Sequence, residues 1–229
     1  MHAPARPVPA PALESGDRLD RAEFRRRYEA QPHDRKAELI GGIVYVASPV
    51  RFPHAEQHAG LIGWLHTYFL ATPGTVVVDN ATLVATEQDE PQPDVALVIR
   101  PEHGGLGRVD EERYLHGPVE LVAEVAHSSA SKDLHLKRDL YQTLGCEEYL
   151  VHVVEEPGAV HWMRLVDGHY RDLVVEDGVL RSRVYPGLWL DVAAYLRGDA
   201  LALDATLRRG LSTPEHAAFV ADLARRRTS

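Results

Sequence analysis

The chain is short of thiols, of long apolar runs and of positive charge, and each shortage closes off a class of function. Its 229 residues hold one cysteine, Cys146. No intramolecular disulfide is possible, and no zinc-ribbon spacing exists. This usage favours a reducing compartment, and the expectation is a cytoplasmic protein. No apolar run approaches the length of a membrane span. Residues 1–11 are rich in Pro and Ala and lack the apolar core of a signal peptide. Lys and Arg number 25 against 34 Asp and Glu, a formal net charge of -9. Nucleic-acid binders usually present a basic contact face, so this balance counts against one. Catalytic carboxylates and an acidic far side would lower the sum in the same way. There is no HExxH pattern of a zinc protease. His103-Gly104-Gly105 with Gly107 has neither the Walker spacing nor the dinucleotide fingerprint. No internal repeat is apparent.

What is present suits one medium domain with appendages. At 45% hydrophobic the chain can bury a proper core. Residues 1–16, with Pro at 4, 7, 9 and 11, read as a disordered arm. Residues 17–198 read as the folded domain. Residues 199–229 read as a C-terminal helical extension placed for contact with another subunit. A helical pattern over 17–30 carries Arg25-Arg26-Arg27, a solvated face in preference to a phosphate patch. Residues 38–46 have the form of a hairpin turning at Gly41-Gly42. A helix over 53–71 carries His54 and His58 at i, i+4. Strands are expected near 75–78 and 82–86. An irregular segment fills 100–117. A strand through Val125 leads by small polar residues 128–131 into a helix ending at Gly145, then into a strand over 149–154. Strand, helix, strand in succession is a crossover unit. Asp167-Gly168 and Asp177-Gly178 turn a C-terminal β-meander, which ends at Pro186-Gly187.

Two carboxylates interrupt runs that otherwise read as buried strands. Asp94 precedes Val95-Ala96-Leu97-Val98-Ile99. In 119–125 the period of two puts Val119, Leu121, Ala123 and Val125 on one face, with Glu120, Val122 and Glu124 on the other. Burying an unpaired carboxylate costs several kcal/mol (order of magnitude), so such groups are paired, hydrogen-bonded or bound to metal. An Asp and a Glu from neighbouring strands, with the backbone carbonyl of Val125, make an open oxygen site suited to Mg²⁺ or Mn²⁺. On the following helix Asp133, Lys137 and Tyr141 form an i, i+4, i+8 stripe beside an apolar stripe of Leu136, Leu140 and Leu144. From spacing alone the simpler reading is structural: Asp94 caps a strand start, and Glu124 pairs with Lys137 or Lys132.

Four stretches together resemble the Uma-two family of endonucleases, a branch of the PD-(D/E)XK restriction-endonuclease-like superfamily. They are Glu38-Leu39-Ile40-Gly41-Gly42 with Ser48-Pro49 and His54, then Gln92-Pro93-Asp94-Val95, then 120–125 through Ser128, Asp133, Lys137, Tyr141, Gly145 and Tyr149, and finally Tyr185-Pro186-Gly187-Leu188. The resemblance covers roughly residues 20–196. It implies an α/β fold with a restriction-endonuclease-like core, a mixed central β-sheet flanked by helices. It implies divalent-metal-dependent hydrolysis of phosphodiester bonds, with DNA as the expected nucleic acid and a homodimer as the expected assembly. Asp94 and Glu124 match the motif acids. The superfamily lysine two residues beyond the glutamate falls on Ala126, and Lys137 matches its displaced counterpart. Glu38 matches an upstream acid with an assisting role. Asp133 and Tyr141 would orient Lys137, and His54 would support the site. Ser129 stands where this group usually has Pro, and Leu150 and Val153 replace a common Trp and Asp. The rival from a different class is a catalytically inactive module that keeps the fold for protein contacts.

Overall fold

The computed structural model describes residues 10–32, 35–49, 52–127, 130–155 and 157–227. Helix α1 spans Arg21–Glu29 and starts at Asp20, whose side chain accepts the Glu23 N–H. Strands β1 (Ala37–Ile40) and β2 (Ile43–Val46) form the expected hairpin. Gly41 and Gly42 have φ of 59° and 71°, which the two-residue turn requires and side-chained residues resist. Helix α2 (Phe52–Ala71) leads to β3 (Thr75–Asp79), the short β4 (Leu83–Val84) and β5 (Val95–Ile99). The segment expected to be irregular contains a 3₁₀ turn at Pro101–His103 and short strands β6 (Arg108–Val109) and β7 (Leu115–His116).

The second half begins with β8 (Leu121–Ala126). A π-helical turn at Lys132–Lys137 then runs into α3 (Arg138–Leu144), and Gly145 closes it at φ 91°. Strand β9 (Glu148–Val153) pairs parallel with β8, as a crossover demands. Next come β10 (Ala159–Val166), β11 (His169–Asp172), β12 (Val179–Arg181), β13 (Trp189–Asp191), α4 (Val192–Leu196), α5 (Ala200–Leu211) and α6 (Pro214–Arg226). The expected cap at Ser128 and the departure at Ser129 lie outside the described residues, as do residues 1–9 of the expected arm.

The central sheet has the order β11-β10-β9-β8-β5-β3, parallel only between β8 and β9. It is therefore mixed. The first two meander strands extend this sheet, and β12 and β13 form a ribbon of their own. One face packs α2 against Leu121, Ala123, Val125 and Leu150, with Trp64 edge-on to Trp162 at 5.7 Å between ring centroids. The other packs Tyr141 and Tyr149 over Ala96, Val98, Val122 and Ala126. A small third core joins Leu13, Phe24, Ala37, Leu39 and Val44 under the hairpin.

Two sequence expectations change. Residues 10–16 are not free chain: Leu13 is buried, and the backbone N–H of Gly16 donates to the Val44 carbonyl. The reason is that the hairpin has an apolar face, and this segment and α1 together cover it. The helices of 199–229 are not an appendage either. Leu203, Leu207 and Leu223 belong to the main core, and Gly210 meets Gly187 backbone to backbone at a distance no Cβ would allow. On the crossover helix the stripe of Asp133, Lys137 and Tyr141 is buried, while Leu136 is exposed.

Candidate active site

Asp94 closes the loop before β5 and Glu124 sits near the end of β8, so the antiparallel pairing of these strands brings the two acids together. Their backbones and side chains interlock. The Val125 N–H donates to Asp94 Oδ2 at 2.8 Å, and the Asp94 N–H lies 3.4 Å from Glu124 Oε2. Glu120 precedes the same strand, two steps of the pleat before Glu124 with Val122 between them. It does not join the acid pair. It accepts the N–H groups of Ile99 and Leu106 at 2.8 and 2.7 Å and so anchors the loop after β5.

Glu124 divides its oxygens. Oε1 accepts from Lys137 Nζ at 2.8 Å and from the Tyr141 hydroxyl at 3.1 Å. Among the described residues, Oε2 keeps only the long contact to the Asp94 N–H. Lys137 Nζ is also 2.7 Å from Glu38 Oε1 and 3.9 Å from Asp133 Oδ1. The second oxygen of Glu38 holds Lys132 at 2.8 Å, and Lys132 stands over the Tyr45 ring at 5.5 Å. The Gln92 N–H fixes Glu38 from the β5 side at 2.9 Å. His54 Nε2 is 3.8 Å from Asp94 Oδ2, an ion-pair distance rather than a hydrogen bond. His58 Nε2 lies 3.1 Å from the Asp94 carbonyl and 3.3 Å from Asp79. All the expected site residues thus gather in one cluster, from the hairpin, α2, the start of β5, the end of β8 and the crossover helix.

The electrostatics follow from burial and from the charges that meet here. Burial alone would lower the Lys137 ammonium, but Glu124, Glu38 and Asp133 hold it well above its ordinary value. Burial would raise Glu38, yet Lys137 and Lys132 bring it down to about 2. Glu124 is pushed well up, first by burial and then by Asp94, Asp133 and Glu38, against the pull of Lys137. The carboxylates of Asp94, Glu124, Glu38 and Asp133 outnumber the ammonium groups of Lys137 and Lys132. The crowding of acids that, together with burial, pushes Glu124 up is what a cation bound here would relieve.

The donor set fits a hard cation better than a closed metal site. Among the described residues, no three His, Cys, Asp or Glu side chains are grouped to hold a metal by themselves. Two carboxylates, a backbone carbonyl and several waters are what Mg²⁺ accepts. The partly exposed Asp94 and the nearly unengaged Glu124 Oε2 are the carboxylate oxygens that could serve such an ion. Glu148 shows the contrast. Both its oxygens are taken by the Arg183 and Val184 N–H groups, the Ser182 hydroxyl and the Trp162 indole. It holds structure and leaves no acceptor open.

Sequence reasoning missed the full part of Lys132, His58, Gln92 and Tyr45. The i, i+4 relation to His54 marked His58, and Gln92 stood within a motif. Nothing local marked Tyr45. The Arg25-Arg26-Arg27 triplet is spent on ion pairs with Glu90, Glu112, Glu23 and Asp17, in keeping with a structural face.

A family model described as "Putative restriction endonuclease", Uma2, matches residues 21–193. No curated protein sequence matches the chain. Among solved structures, a crystal structure from Anabaena variabilis ATCC 29413, titled as "a putative nuclease belonging to DUF820", superposes with a TM-score of 0.54. It is 10% identical, and the match covers 80% of this chain and 97% of that one. At that identity the likeness speaks for the fold.

Proposed function

We propose, because the chain belongs to the Uma2 family, that it is a divalent-metal-dependent endonuclease acting on DNA. One juxtaposition carries this function: Asp94, at the end of the loop before β5, and Glu124, on β8, meet with an open carboxylate oxygen between them. Asp94, Glu124 and the Val125 carbonyl would hold Mg²⁺ or Mn²⁺. Such an ion, when bound, polarises a phosphodiester and eases ionisation of water. Lys137 and Tyr141 fix Glu124 through Oε1, which leaves Oε2 on the Asp94 side. Glu38 holds Lys137 in place, and Asp133 adds a weaker restraint. His54 and His58 bracket Asp94 from α2. A homodimer belongs to the same proposal, as the assembly that would present two such sites to two strands.

The test is nicking of supercoiled plasmid with Mg²⁺ or Mn²⁺. Cleavage by the wild type and its loss in Asp94→Asn are expected. Cleavage that survives Asp94→Asn overturns the assignment of the site. A wild type that cuts neither DNA nor RNA with either ion overturns the nuclease function and favours the inactive module.

A further inference from the structure

The lysine that matches the family position is sealed. The Lys137 side chain is 4% exposed, and its ammonium donates to Glu38 and Glu124. To meet a phosphate it would have to leave Glu124, which has no other charged donor among the described residues, and stranding a buried carboxylate is costly. Lys132 differs in each respect. Its side chain is 23% exposed, and Glu38 is its one carboxylate partner among the described residues. An ammonium has three donors, so two remain for a ligand.

The backbone explains how two lysines reach one carboxylate. At 3.6 residues per turn, positions five apart lie roughly 140° apart around an α-helix. Lys132–Lys137 is instead a π-helical turn, whose i→i+5 hydrogen bonds widen the helix and bring such positions toward one side. Glu38 therefore takes Lys137 on Oε1 and Lys132 on Oε2. The outer ammonium is held at the rim of the Asp94–Glu124 cluster by a carboxylate and the Tyr45 ring.

We propose, building on the nuclease function above, that Lys132 is the amine that contacts a backbone phosphate of the nucleic-acid substrate, with Glu38 and Tyr45 as its positioning residues. A lysine on a phosphate acts as a point charge and releases one counterion on binding.

The experiment is fluorescence anisotropy of a DNA duplex with the full chain in the Asp94→Asn background, in Mg²⁺, across a salt series. Lys132→Ala is expected to weaken binding roughly tenfold and to reduce the magnitude of the salt slope by about 1. Lys132→Arg is expected to restore the slope. Lys132→Gln serves as a second neutral variant, and the melting midpoint of each is measured alongside. Unchanged affinity and slope in both neutral variants overturn the proposal while the nuclease function stands. An Asp94→Asn background that binds no duplex, together with a wild type that cuts none, sinks both.

Discussion

Lys137 Nζ lies 2.8 Å from Glu124 Oε1, and neither side chain exceeds 4% exposure. The pair joins the crossover helix to the end of β8. It fixes the orientation of Glu124 and makes the fold depend on the charges of the site. Buried pairs of this kind resist the loss of one member more than the loss of both.

Lys137→Met is accordingly expected to destabilise the protein by about 3–5 kcal/mol, because Glu38 and Glu124 lose a shared counterion. The double variant Lys137→Met with Glu124→Gln is expected to recover part of that loss, since it also removes the stranded charge. Urea unfolding of wild type, both single variants and the double variant measures the coupling. A double variant no more stable than Lys137→Met contradicts the electrostatic origin.

Metal binding should register in stability without any turnover. An ion held by the native state alone stabilises it by about 2.7 kcal/mol at a hundredfold excess over Kd. For a chain of this size that corresponds to a rise in Tm of roughly 5–10 °C. Titrating Mn²⁺ is expected to raise the Tm of the wild type and leave that of Asp94→Asn nearly flat. An equal rise in the two proteins argues against the site.

His152 sets an acid limit independent of the site. Burial pushes its imidazole down to about 4, and Nδ1 has no hydrogen-bond partner among the described residues. In the unfolded chain the same ring titrates near its ordinary value of about 6.5. Between those values the unfolded state binds a proton that the folded state refuses. Its contribution to stability is therefore present above about pH 6.5 and is lost as pH falls toward about 4, by roughly 2 kcal/mol once solvent screening is allowed for. His152→Gln is expected to flatten the pH dependence of stability across that window. An identical slope in the variant removes His152 from the account.

Truncation after residue 198 is expected to unfold the domain rather than trim it. Leu203, Leu207 and Leu223 would be lost from the main core, and Tyr68 and Tyr185 would lose the His216 and Phe219 rings packed edge-on against them. Loss of the cooperative transition in circular dichroism checks this. A truncated chain with the same Tm as the full chain contradicts it. The proposed homodimer is therefore tested on the full chain, by light scattering, where a monomer at high micromolar concentration removes it.

Local pattern was enough for several features because the forces involved are local. Gly41-Gly42 between aliphatic residues turns a hairpin through its own backbone freedom, and the Gly145 stop marks the end of a helix by φ alone. Strand, helix, strand after Glu124 predicts the parallel β8–β9 pair, whereas Asp94 meets Glu124 across the antiparallel β5–β8 pair, which local pattern does not assign. Period and spacing do not decide partners distant in the chain. Glu120 and Glu124 share a strand face in sequence, yet one binds loop amides and the other Lys137. The apolar Leu136 is left outside while charged Lys137 is buried, because carboxylates on β1 and β8 compensate the ammonium there. The widened helical turn that aligns Lys132 with Lys137 leaves no mark in the hydrophobic pattern. Nor does sequence alone reveal that α5 and α6 complete the core, since their apolar faces suit a second subunit equally well until Gly187 and Gly210 meet.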